Sequence, residues 1–544
     1  MKALSIRDVI GPVMIGPSSS HTAGAARIAL MCRKLLSAPP DEVTFTLFGS
    51  FARTYRGHGT DRALVGGMLG FEPDDERIRD SFSLAREAGM RFSFVPVFES
   101  EGMAHPNTVN IEVLDRAGKR TTMRGESVGG GAASITRIDD VDVELSGEYH
   151  SIVVEHLDRK GALAGIARCL SEHDINIATT RLFRTRKGER AYTVMQADDE
   201  VPPEVALSLK ELPGVSSVHV IRSDVAAAAS ENAGAKDAAV DVEKAQRAFE
   251  RLDFPTAEAM EAWCEHGGAT LADAVFERER ALYASHGMSD DGARRYLANA
   301  LEVMRAAATA PLEEPAPSMG GLLGGEGRKL ARLEASGKGL ADPLLAKASA
   351  YAAAALETNA SMGRIVAAPT AGASGVLPAV LFACQDVHGF SDGELVDALA
   401  SAAAVGLFAT RNATVSGAEG GCQAEVGAAS AMAAASAVQL MGGTSRQCLD
   451  AAGNALSGMM GLVCDPVGGL VEAPCQKRNV TGAAVALASA QMALSGVGNL
   501  VDFDQTLEAS RRVGAALPVE LRETALGGLA ATPAACAWCD SRSC

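Results

Sequence analysis

Cys422, Cys464 and Cys475 are the residues of this chain whose surroundings best suit chemistry, because each stands beside residues that break or cap a helix. Cys422 follows Gly420 and Gly421. Cys464 leads into Asp465–Pro466, and Cys475 follows Pro474. Between Cys422 and Cys464 the chain is Ala-rich and sparsely charged, which predicts buried helix. Three thiols at loop–helix junctions can be brought together by packing, and thiolates in such places suit a soft metal centre. Free cysteine is also among the most buried residue types, so three small core residues are the competing reading. The stretch has no C-x-x-C pair, so zinc-finger spacing is missing, and three ligands is an odd count for structural zinc. Three thiolates do suit a 4Fe–4S cluster with one iron left open as a Lewis acid. Cys448, inside the helical pattern SRQCLDAAG, reads as a core residue.

A second set of candidates lies near the N-terminus. Ser18, Ser19, Ser20 and His21 precede a predicted helix over 22–36, so their hydroxyls and backbone N–H groups are expected to face outward. A helix N-terminus is a ready anion site, here suited to a carboxylate; an N-cap cluster is the plainer alternative. His58 sits between glycines in GHGTD, an accessible position fit for proton transfer or a mere turn. His105 opens HPNT, a β-turn or a functional turn. In the C-terminal half, Thr370 and Ser374 belong to the small-residue loop TAGASG, where a substrate can approach closely. Lys329 reads as a solvated lysine. Lys477 and Arg478 follow Cys475, where positive charge would offset thiolates or hold a carboxylate.

GCQAE, CDPVGGLVEAPCQKRN and ETNASMGRIVAAPTAGASGVLP resemble the α part of the iron–sulfur-dependent L-serine dehydratases, and GPSSSHTAG, GHGTD, HPNT and SVGGG resemble that family's β part. The motifs are long, specific and in the family's order, and they cover nearly the whole chain except linker and tail. The resemblance implies deamination of L-serine to pyruvate and ammonia with a 4Fe–4S cluster on Cys422, Cys464 and Cys475. It implies a catalytic base among His58, His21 and His105, ranked in that order, and a carboxylate held by Ser18, Ser19 and Ser20, with Thr370 and Ser374 facing it. Some family members place a C-terminal cysteine on the open iron when substrate is absent, a role that Cys544, the last residue, is placed to fill. A disordered tail is the other reading of that end. Two rival functions stay open: a lyase that removes sulfide from cysteine, and a non-catalytic amino-acid sensor.

These residues need a scaffold, and its pattern is multidomain. Residues 1–148 alternate helix and strand as an α+β domain, with strands over 43–50, 92–98, 108–114 and 134–144, a helix over 61–69, and a flexible loop at 127–131. Residues 151–222 follow a ferredoxin-like βαββαβ order and resemble an ACT domain, with the D-x-x-G-x-L turn at Asp158, Gly161 and Leu163. An amino-acid effector is expected there, and such units usually pair, so a homodimer or higher homo-oligomer is expected. A structural spacer is the alternative. Residues 223–240 read as an Ala-rich linker. Residues 241–544 read as an all-α domain whose Gly- and Pro-rich breaks converge on the cysteines.

Composition narrows the partners. Net charge is −17, with both signs interleaved, which argues against nucleic acid and anionic membrane. Eleven cysteines without small-domain spacing indicate a reducing, cytoplasmic setting and no disulfide framework. The N-terminal apolar run is interrupted by Arg7 and Asp8, so it lacks the core of a signal peptide. The uncharged stretch 480–501 is long enough for a membrane span, but its Ala, Gly and Ser content and Gln491 favour a buried helix.

Overall fold

The computed structural model describes residues 3–98, 105–146, 150–184, 186–197, 201–221, 240–289 and 292–542. The expected linker falls almost wholly outside them, as does Cys544. The chain forms two compact units, one of Ser20–Ala233 and one of Met1–Ser19 together with Gly234–Cys544. The first strand, β1 (Val13–Ile15), therefore packs with the helical unit, although in sequence it runs on into the α+β region.

The Ser20–Ala233 unit carries two sheets. The larger is built from β2 (Pro40–Phe48), β3 (Arg91–Val97), β4 (Thr108–Asp115), β5 (Arg120–Gly129), β6 (Ala132–Ile138) and β7 (Val141–Ser146) in the order β3-β2-β4-β5-β6-β7. Only the β2–β3 pair is parallel. Val43, Phe45 and Leu47 alternate inward along β2, as the period-two pattern requires. The helices Gly24–Lys34 and Thr60–Leu69 pack closely: a Cβ on Gly67 would stand 2.4 Å from Ala26 O. Two sequence expectations change here. The strand expected over 134–144 is a hairpin, β6 and β7, folded at Asp139, which adopts φ +51 as a short polar side chain can. The stretch expected as a flexible loop at 127–131 is the end of β5 and its turn. Ser127 is buried there, and its Oγ donates to Ser20 O at 2.8 Å.

The smaller sheet is β8 (His150–Leu157), β9 (Ile177–Arg184), β10 (Arg190–Ala197) and β11 (Val215–Ile221), ordered β11-β8-β10-β9 and antiparallel throughout. The helices Ala162–Glu172 and Pro203–Lys210 complete the βαββαβ order. Leu170, Val205 and Leu209 from the helices meet Ile152, Val154 and Met195 from the sheet. Asp158 accepts from Gly188 N at 3.0 Å and from Arg184 at 2.8 Å, so the motif turn is tied to the β9–β10 turn.

The helical unit is built on alanine. The helix Ala428–Leu440 is buried on almost every side, and small side chains let Asp392–Asn412, Ser445–Gly458, Val376–His388 and Cys475–Leu494 close around it. Gly482 shows how tight this is: a Cβ there would meet Ser430 Oγ and Val426 Cγ1, each at 2.8 Å. Residues from the chain start complete this core. Ile6, Val9 and Ile10 are buried in it, and β1 pairs antiparallel with β12 (Arg364–Val366). The uncharged stretch 480–501 is not one helix, because Cys475–Leu494 ends within it and Leu500 is exposed. Among the described residues, Asp392–Asn412 is the one helix long and apolar enough to cross a membrane, and 78% of that window is buried.

Candidate active site

The three cysteines come together in the helical unit. Cys422 precedes the wide helical turn Gln423–Gly427, which runs into Ala428–Leu440. Gly421 before it adopts φ +73, and a Cβ there would stand 2.7 Å from Leu517 Cδ1, so the entry to Cys422 calls for glycine. Cys464 is pinned by backbone bonds: its N–H donates to Leu521 O at 2.9 Å, and its carbonyl accepts from Glu523 N at 2.8 Å. Cys475 is the first residue of Cys475–Leu494. Cys422 and Cys464 are buried and Cys475 half-buried.

Burial first, and then nearby Glu425, push the Cys422 thiol up to about 12 against the opposing charge of Arg478. Burial likewise holds Cys464 and Cys475 well above the ordinary thiol range; Glu425 and Glu523 raise both further, Cys422 and Cys475 raise Cys464, and Cys422 raises Cys475 against the opposing Arg478. The three thiols are thus electrostatic neighbours. Among the described residues, no three His, Cys, Asp or Glu side chains close on a point as a single metal ion requires. Thiols this reluctant to ionise become thiolates only if a cation takes the proton's place.

Carboxylates and amides frame the thiols. Thr370 Oγ1 donates to Glu425 Oε1 at 3.0 Å, and Cys464 Sγ lies 3.8 Å from Glu425 Oε2. Gly417 makes room, since a Cβ there would sit 2.5 Å from Glu425 Oε2. Glu523 adopts φ +61, a conformation held only under constraint for such a residue. Burial raises both carboxyls, and Glu425 raises Glu523 further. Arg478 donates to Val463 O at 2.8 Å and pairs with Asp465 at 2.7 Å. Asn479, fully buried, accepts from Gly375 N at 3.1 Å and donates to Gly372 O at 2.8 Å and Cys475 O at 2.9 Å. It therefore ties the TAGASG loop to the third cysteine.

The histidines gather in the other unit. His21 and His58 lie with ring centroids 4.6 Å apart. His21 Nδ1 shares a hydrogen bond with Ser20 Oγ at 2.8 Å, and Nε2 with Ser50 Oγ at 2.9 Å. His58 is 1% exposed, and neither ring nitrogen has a partner among the described residues. Burial lowers His58 to about 4 and, with the repulsion of His58 and His105, lowers His21 well below its usual value. His105 is half-buried, and its Nδ1 accepts from Asn107 N at 3.1 Å.

Comparison with known proteins follows the same division. A family model described as serine dehydratase alpha chain matches residues 224–530, and one described as serine dehydratase beta chain matches 5–140. An L-serine dehydratase of Streptomyces coelicolor is 30% identical over 540 residues, covering 97% of this chain and 98% of its own. The chain belongs to the serine dehydratase family. In Peptoniphilus asaccharolyticus the corresponding alpha and beta chains are separate proteins, 42% identical over 267 residues and 44% over 177. Here both serine dehydratase parts lie in one chain, with an ACT domain matched at 150–214 between them.

Several expectations about site residues change within this family frame. Ser18 and Ser19 are buried rather than facing outward, and the chain from Ser19 to Ala23 is wound as a wide helical turn before Gly24–Lys34, so no side chain caps that helix. His58 is enclosed rather than accessible, because the GHGTD turn folds its ring onto His21. Thr370 donates its hydroxyl hydrogen bond to Glu425, while Ser374 Oγ is buried without a partner among the described residues. Cys448 is a core residue as expected, and Lys329 is a solvated lysine paired with Glu326. Arg478 is held in the protein interior, unlike Lys477. Glu425 was legible in GCQAE, one helical turn after Cys422; Glu523 and Asn479 carried no separate signal.

Proposed function

We propose that this chain deaminates L-serine to pyruvate and ammonia, with a 4Fe–4S cluster held by Cys422, Cys464 and Cys475. The observation that carries the reading is the gathering of these three thiols, with Cys464 raised by Cys422 and Cys475 and Cys475 raised by Cys422, in a chain aligned end to end with an L-serine dehydratase. The donor set fits: sulfur ligands, no competing disulfide among the described cysteines, and Arg478 beside them to offset thiolate charge. When bound, such a cluster supplies a Lewis acid that makes the serine hydroxyl a better leaving group.

The chain's own residues then divide the remaining work. His58, neutral at pH 7 and with both nitrogens unpartnered, takes the Cα proton. His21, engaged by Ser20 and Ser50, holds its orientation beside it. Ser18, Ser19 and Ser20 bind the substrate carboxylate, and Ser374 offers a further buried hydroxyl. Once water has left, the aminoacrylate hydrolyses without further help. The ACT domain takes an amino-acid effector, and Cys544 would supply a further sulfur ligand to the cluster between turnovers. The setting is cytoplasmic and the assembly a homo-oligomer.

Anaerobic purification with iron and sulfide assays, followed by product analysis, tests the reading. Iron, sulfide, and equal pyruvate and ammonia from serine are expected. Sulfide released from cysteine instead would mark a cysteine lyase, and amino-acid binding without turnover would mark a sensor. Stopped-flow progress curves of a Cys544→Ala variant should lose the slow activation phase; matching curves without a lag in either protein would remove the capping role.

A further inference from the structure

Between Cys464 and Cys475 the chain carries Glu472, a buried carboxylate with no role in the chemistry above. Its oxygens are fully occupied by one loop. Ser318 Oγ donates to Oε2 at 2.6 Å, Gly320 N to Oε1 at 2.6 Å and Leu322 N to Oε2 at 3.0 Å. A second buried carboxylate, Glu357, takes the end of the same loop: Gly325 N at 3.1 Å and Gly327 N at 2.8 Å. Glu357 also accepts from Gln476 Nε2 at 3.3 Å, the residue after Cys475. The backbone closes the link, since Gln476 N donates to Glu472 O at 3.0 Å. The loop has no slack against these groups. A Cβ on Gly320 would stand 2.4 Å from Leu470 Cδ1, and one on Gly327 2.9 Å from Ala354 Cβ.

Bonds to an ionised acceptor are roughly twice as strong as neutral ones, and burial strengthens them further. Two carboxylates so placed form a rigid clasp. We infer that Glu472 and Glu357 are positioning residues that use the glycine-rich loop 318–327 as a brace, holding the Cys464–Cys475 segment and its thiols at a fixed spacing. The inference rests on the reading of Cys464 and Cys475 as cluster ligands. The groups that orient metal ligands typically change metal affinity by about 10–100-fold when removed.

The test uses the full chain, reconstituted with iron and sulfide without oxygen. In Glu472→Gln the amide keeps one acceptor oxygen and turns an NH₂ toward backbone donors. Iron release to a chelator should accelerate about 10–100-fold, and in metal-free protein alkylation of Cys464 and Cys475 should also accelerate. Glu394→Gln is the control, since that exposed carboxylate bonds Ser391 at the start of Asp392–Asn412, outside the brace, and both rates should match the parent. Parental rates in Glu472→Gln would overturn the inference, even if its melting temperature fell. If Glu472→Gln does not fold, Ser318→Ala, which removes one bond of three, decides by the same two rates. If the parent takes up no iron, the cluster reading fails by itself. Alkylation then still decides the brace: faster in the variant supports it, unchanged rules it out.

Discussion

His21 and His58 share one environment but differ in what their nitrogens meet. Hydroxyls occupy both nitrogens of His21, and none occupies those of His58. On that ground His58→Ala should lower kcat by about 10²–10⁴ with iron content intact; an unchanged kcat, measured on fully loaded enzyme, would move the base to His21 or His105. The same pair predicts a pH dependence of stability. His58 is lowered from 6.5 to about 4, so between those values the unfolded chain binds the proton first. Stability is therefore present above pH 6.5 and lost as pH falls toward 4, by on the order of 3 kcal/mol for His58. His21 acts in the same direction. Asp61, raised by burial from 3.8 to about 6, acts in the opposite one. Buried Glu279, Glu425 and Glu523, raised to about 7, 6 and 8, oppose as Asp61 does, so the measurement is a difference: between pH 4 and 6.5 the urea midpoint of the parent should gain more, or lose less, than that of His58→Gln. Among the cysteines, Ser substitution at 422, 464 or 475 should each remove cluster absorbance and activity, while Cys448→Ser retains both. Full iron in all three single variants would exclude the ligand assignment.

At the scale of elements, the helical unit depends on how closely Ala428–Leu440 and Cys475–Leu494 approach. Gly482 sits at that contact, and an added Cβ would press on Ser430, Val426 and Val376. Gly482→Ala should therefore destabilise by about 1–3 kcal/mol, despite alanine's better helix propensity. Gly458, at the exposed end of Ser445–Gly458, has only Val485 Cγ1 near its missing Cβ, at 3.8 Å. There alanine should stabilise by up to about 1 kcal/mol. Denaturant midpoints for the two variants should move in opposite directions; a common direction would mean that propensity rather than packing governs these helices.

For the whole molecule, regulation is the property to test. The ACT sheet packs on the larger sheet of its unit through Lys119–Glu155 at 3.4 Å and Arg190–Asp139 at 2.6 Å. Deleting 151–222 would strip that face, so a substitution in the motif turn is the cleaner probe. Gly161 has φ +88, which a β-branched residue resists. Gly161→Val should weaken the response to an amino-acid effector, serine first among those to try, with an effect in the 5–150-fold range usual for coupled sites. Activity measured against effector concentration would show it, and a parental curve would place regulation elsewhere.

Read alone, the sequence disclosed the three-part organisation and the βαββαβ order, and it singled out the cysteines and histidines as candidates. Local signals suffice for these: period-two alternation, Gly and Pro at breaks, and short motifs whose residues are neighbours in the chain. It also distinguished Cys448, because a helical pattern surrounds that residue on both sides. Other features were decided only by tertiary structure, for a common reason: they depend on contacts between residues far apart in sequence. Residues 3–19 pack with helices more than two hundred positions away, through Ile6, Val9, Ile10 and the β1–β12 pairing. His58 looked accessible between glycines, but packing against His21 encloses it. Glu523 is drawn beside Cys464 by a pair of backbone hydrogen bonds, and Glu472 reaches a loop some 150 residues earlier. A carboxylate in sequence is by default a solvated charge; only the fold, by burying it among oriented N–H groups and thiols, gives it a task.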